Sequence, residues 1–224
     1  PLQPILDAER MRCEAKAAER AKQLEVHGLS HVSRGGFALV YRASIIPHGE
    51  LYLARHLTTN ATYTIRQEVK DSVENGGERL RLEREVGALR AVNEAATRCM
   101  GVLPTLLRAF ETTEATSFLR GSGSVYLLFR QRAVCSLGVL LRDHGGTALG
   151  ETETRFVGAC ITQALDVLHG EALHISHNLS LDSLHVLEDG YICLMDMRFA
   201  RRNDGACQTL CGPVNQYAPE QLRG

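Results

Sequence analysis

The chain has 224 residues, 44% of them hydrophobic and 23% charged, which fits one large domain or two small ones and excludes both a disordered chain and a disulfide-stapled miniprotein. Twenty-five basic residues against 26 acidic ones leave a formal charge of −1, without the excess of Lys and Arg that neutralising many phosphates requires, so nucleic acid is not expected as a partner. Just three of the basic residues are lysines, Lys16, Lys22 and Lys70.

Residues 5–26 are rich in Ala, Glu, Lys and Arg and contain no Gly or Pro, which predicts one long helix stopped near Gly28. Its apolar stripe of Ile5, Leu6, Met11, Ala15, Ala18, Ala21 and Leu24 is narrow. Such a stripe suits either a solvated helix capping its own domain or a helix laid on a neighbour. From there to about residue 130 the pattern is β-rich. Residues 31–44 and 50–57 read as strands around the turn of Pro47, His48 and Gly49, and 124–131 as a further strand. Between them, 78–96 carry Leu82, Val86, Leu89 and Val92 at helical spacing. Loop signals cluster at 120–124 and 144–150, and the second half is more helical, with 152–174 as its clearest helix. No apolar run approaches the ~20 residues that cross a bilayer, and the N-terminus lacks an apolar run ending in a cleavage site. The expectation is a soluble chain, cytoplasmic or cytoskeleton-associated, with no membrane partner. Seven scattered cysteines without a C-x-x-C pair read as reduced and structural. Cys207 and Cys211 with His174 or His177 would make a zinc set of no common spacing, so no metal is expected.

The order of sheet, helix, hinge, long helix and a hairpin ending in DGYICLMDMRFAR resembles a protein kinase, and the run DGYICLMDMRFARRNDGACQTLCGPVNQYAPEQL is similar to the cyclic-nucleotide-dependent kinases of the AGC group. The resemblance covers about residues 28–224. It implies an α+β, bilobal protein-kinase-like fold: an N-terminal helix at 1–27, an N-lobe of antiparallel sheet plus a C-type helix at 28–131, and a mainly helical C-lobe at 132–224, cut after the A-P-E-like Ala218, Pro219 and Glu220.

Matched residue by residue, the family's chemistry is depleted. The Gly-rich loop falls on 33–40, where Ser33, Gly35 and Ala38 stand at the three glycine positions and one glycine is left to close over phosphates. The third-strand lysine falls on Arg55, whose planar guanidinium does not replace a point-charge ammonium. Its expected partner is Glu85, which resembles the αC glutamate. Leu53 and His185 stand where a small alanine and a leucine sandwich the purine, so the adenine slot is expected to be filled. In the catalytic loop, Asn178 replaces the aspartate that accepts the substrate proton, Ser180 the lysine, and Ser183 the metal-binding asparagine, with Asp182 one residue early. The D-F-G motif becomes Asp196, Met197 and Arg198, and Arg198 is expected to pair with Asp196 in the metal's place. Thr209 sits at the family's activation-loop phosphothreonine and is a candidate phosphosite, with His177 replacing the arginine that receives the phosphate.

Losing an interaction of this kind costs on the order of 3–4 kcal/mol, and several are lost together. The resemblance therefore implies a pseudokinase without cofactor, acting as a protein-binding scaffold or regulatory subunit through its N-terminal helix and an exposed C-lobe face. The alternative is a weak ATP binder or an unconventional serine/threonine kinase.

Overall fold

In a computed structural model of the chain, the described residues are 33–34, 37–46, 49–69, 76–95, 101–112, 124–143 and 149–204, with Met11, Tyr217 and Pro219 besides. The expected helix at 5–26 (apart from Met11), Gly35, Cys207, Cys211, Thr209 and the A-P-E-like Ala218 and Glu220 lie outside them.

The described chain is mixed α and β, an antiparallel sheet followed by helices and two small sheets. The strands are β1 Ser33–Arg34, β2 Phe37–Ile46, β3 Gly49–His56, β4 Thr62–Val69, β5 Leu106–Thr112 and β6 Ser124–Phe129, paired in the order β1-β2-β3-β4-β6-β5. Helix α1, Gly76–Ala95, lies between β4 and β5 in the chain. It buries Glu85, Ala88, Leu89 and Val92, a stripe at i, i+3, i+4 and i+7. Asn93 fastens it to β5, its amide donating to Leu106 O at 2.7 Å and its carbonyl accepting from Leu106 N at 3.1 Å.

After β6 the chain runs through β7 Ala133–Ser136 into α2 Leu137–Asp143 and α3 Glu151–Asp166. The helix expected to reach residue 174 ends earlier. It widens over Val167–Glu171, where Ala172 N–H reaches back five residues to Val167 O, and stops at Leu173 in the left-handed region at φ 55°. There follow β8 His174–Ile175, β9 Leu184–Leu187, β10 Ile192–Leu194 and β11 Arg201–Arg202. β10, β9 and β7 form one small sheet, β11 and β8 another. The β9–β10 turn is made by Asp189 and Gly190, the glycine at φ 85°.

Sequence patterning located β2, β3, β6, α1 and the body of α3, but not β4 or β5. Within the expected strand 31–44 the described residues form two strands, β1 and β2, with Ser33 paired to Ala38 and Arg34 to Phe37. Both faces of the large sheet carry buried apolar residues. Phe37, Ala54, Ile65, Tyr126 and Leu128 pack together on one face. On the other, Leu51, Leu127 and Phe129 join α1, α3, β9 and β10 in the main core. A bulge in β2 between Leu39 and Tyr41 switches the alternation, so that Tyr41 and Ala43 join Leu53.

Candidate functional site

The inner face of β4 carries Thr64, Arg66 and Glu68 at alternate positions, all three buried. Opposite them stand Glu85 from α1, the segment 196–198 after β10, and Asn178 after β8. Arg66 holds Glu85 with both guanidinium Nη atoms, Nη1 at 2.6 Å from Oε1 and Nη2 on Oε2. Its Nη2 also lies 3.0 Å from Glu68 Oε1. Burial alone would push the Arg66 guanidinium down, but Glu85 and Glu68, with Asp196 further off, hold it above its ordinary value. Arg198 Nη2 donates to the same Glu68 Oε1 at 2.6 Å. Met197 N–H donates to Glu85 Oε1 at 3.3 Å. The Asp196 carboxylate accepts Asn178 Nδ2–H at 2.9 Å and Arg198 N–H at 3.0 Å.

The expected partners are corrected here. Glu85 is held by Arg66 rather than by Arg55, which lies exposed on β3 opposite Thr62. Since β1 is two residues long, β4 is the third long strand, so the third-strand cation is Arg66 and the residue two before it is Thr64 rather than Leu53. The first two long strands, β2 and β3, meet across Ile46 and Gly49, beside Glu68. The run with Ser33 and Ala38 lies at the other end of the sheet, where Phe37 pairs with His56. Arg198 meets Asp196 only through its backbone N–H, and its guanidinium crosses to Glu68.

Leu53 is buried with Tyr41 and Ala43. His185 is buried on β9 between Ser136 and Cys193, and among the described residues neither ring nitrogen has a hydrogen-bond partner. Burial holds this imidazole down to about 4. The linker joining the two halves is taken up internally: Ala133 N–H donates to Thr64 Oγ1 at 2.8 Å, and Tyr41 Oη lies 3.5 Å from Ala133 O. A heteroaromatic ring entering beside β7 would have to displace both contacts. Ser180 and Ser183 lock their turn together, Ser180 N–H donating to Ser183 Oγ at 2.9 Å and Ser183 Oγ–H to Ser180 O at 2.8 Å. Asp182 faces outward, 3.6 Å from Arg142 Nη2. His177 sits at φ 54°, and burial with the nearby Arg201 guanidinium lowers its pKa.

Each Asp196 oxygen accepts one hydrogen bond, and among the described residues no group of three His, Cys, Asp or Glu side chains is placed to hold a metal ion. Sequence reasoning missed Arg66, Glu68 and Thr64 because β4 itself was missed. The available signal was the β-branched and aromatic run TYTI at 62–65, with a lone arginine directly after it.

No protein-family model matches the chain. The cGMP-dependent protein kinase, isozyme 2, of Drosophila melanogaster is 30% identical over 119 residues, 52% of this chain and 12% of that relative. The cGMP-dependent protein kinase 2 of Rattus norvegicus is 34% identical over 100 residues, 44% of this chain and 13% of the relative. The atypical protein kinase C of Drosophila melanogaster is 33% identical over 110 residues, 48% and 16% respectively. The chain is distantly kinase-like. It spans less than a fifth of the length of these curated relatives. No helix among the described residues is long and apolar enough to cross a membrane.

Proposed function

We propose that this chain is a kinase-like module that has given up phosphoryl transfer and works by binding other proteins. The observation that carries the reading is the hydrogen bond at 2.9 Å from Asn178 Nδ2–H to Asp196 Oδ2, which commits the Asn178 amide to a neighbouring carboxylate. Phosphoryl transfer depends on positioning and on charge stabilisation by metal ions, with a carboxylate receiving the substrate proton. Here the side chain at the proton-accepting position is an amide, which has no basic oxygen, and it is spent on Asp196. Thr64 and Tyr41 support the same reading from the linker side, since they occupy the backbone groups of Ala133. Residues 5–26, expected from sequence to be helical, and the exposed side of the helical half are the surfaces assigned to protein partners, and Thr209 remains a candidate phosphosite within this reading.

Thermal unfolding of the full chain with and without ATP and Mg²⁺ tests it. The expected result is an unchanged melting temperature. A nucleotide-dependent stabilisation of ~2 kcal/mol or more, as saturating binding gives, would establish the weak ATP binder in its place.

A further inference from the structure

We propose that the ion pair between Arg198 and Glu68 is a built-in latch, which keeps the sheet half and the helical half closed on each other without any ligand. The proposal rests on the binding-module reading and adds its regulation: the partner-binding shape is permanent, not switched by nucleotide.

Four observations converge. Glu68 belongs to β4 of the large sheet and Arg198 follows β10 in the other half, so the bond at 2.6 Å spans 130 residues of sequence and both halves. Both side chains are buried, at 3% and 7% exposure, where a charge pair is little screened by salt or water. The latch is continuous with the rest of the cluster. Glu68 Oε1 also faces Arg66, Arg66 holds Glu85 of α1, and Glu85 accepts Met197 N–H beside Arg198. The ring of contacts therefore passes from sheet to helix to the 196–198 segment and back to the sheet. Finally, the cluster supplies its own counter-charge. Two guanidiniums, Arg66 and Arg198, stand among three carboxylates, Glu68, Glu85 and Asp196, leaving one formal negative charge in excess; without Arg198 the excess would be two. In a metal-dependent cleft a bound ion would do that neutralising; here a tethered guanidinium does it.

Hydrogen exchange by mass spectrometry on the full chain tests the latch with Arg198→Met, Arg198→Lys and Glu68→Gln. Slow exchange is expected over 78–95 and 192–200 in the unliganded native chain. Arg198→Met and Glu68→Gln should raise it in both stretches at least tenfold while α3 stays protected, and Arg198→Lys should restore part of the protection. Exchange over 78–95 that is unchanged in Arg198→Met and Glu68→Gln would overturn the latch. So would uniform loss of protection across the chain in all three variants, which would make the pair a general stability element. Slowing of exchange by ATP and Mg²⁺ in the native chain would instead sink the binding-module reading, and the variants alone decide the latch.

Discussion

At the scale of single residues, two arginines of the large sheet, Arg66 and Arg55, separate a buried charge from a solvated one. Arg66 is 2% exposed and held on two sides by Glu85 and Glu68, whereas Arg55 is exposed. Breaking a buried pair by removing one partner costs about 3–5 kcal/mol, because the other charge is left without compensation. Arg66→Met is therefore expected to lower the unfolding free energy by about that amount and Arg55→Met by less than ~0.5 kcal/mol. Equal effects in urea titrations would contradict the assignment of Arg66 as the partner of Glu85. His185 gives a pH dependence. Its pKa falls from 6.5 in the unfolded chain to about 4 in the folded one, the cause being burial. Between those values the unfolded state binds the proton and the folded state does not, so stability falls as the pH drops from 6.5 through 4. The full loss is about 3 kcal/mol. His185→Leu should flatten this part of the stability profile, and a profile unchanged by that substitution would show that another group sets it.

At the scale of elements, the strand register explains which glycines matter. Gly49 opens β3 so close to β4 that a Cβ there would overlap the Gln67 carbonyl oxygen. Gly49→Ala should cost ~1–3 kcal/mol through the backbone shift it forces. Gly87 lies exposed on α1 with open space around it, so Gly87→Ala should stabilise by about 0.5–1 kcal/mol through helix propensity alone. Opposite signs for two identical substitutions would be read directly from denaturation midpoints, and a common sign would contradict the register of β3 on β4. The same elements show how far sequence could be read. Helix α1 was legible because its apolar positions repeat at helical spacing. Strand β4 was not, because on one face its alternation carries Thr64, Arg66 and Glu68 in place of apolar residues, and this is the face that builds the site. A strand that buries ions loses the hydrophobic signature by which strands are found.

At the scale of the whole molecule, the main core takes residues from α1, β6, β7, α3, β9 and β10, so the two halves share one apolar interior. The charge cluster and the Thr64–Ala133 bond cross the same boundary. Unfolding of the described fold is expected to be a single cooperative step, with fluorescence and circular dichroism transitions coinciding. Two separated transitions would show that the shared core does not couple the halves.

What the sequence by itself determined is the inventory: a mixed α and β chain and the ordered motifs that make it kinase-like. Those follow from residue identity and spacing, which are local properties of the chain. Which arginine meets Glu85, where Arg198 reaches, and what occupies the linker backbone were decided only by tertiary structure. A guanidinium has several carboxylates within reach of its long side chain. The choice among them is made by strand pairing, which sets Arg66 beside Leu51 and Arg55 beside Thr62, on one face but four residues apart along the strands.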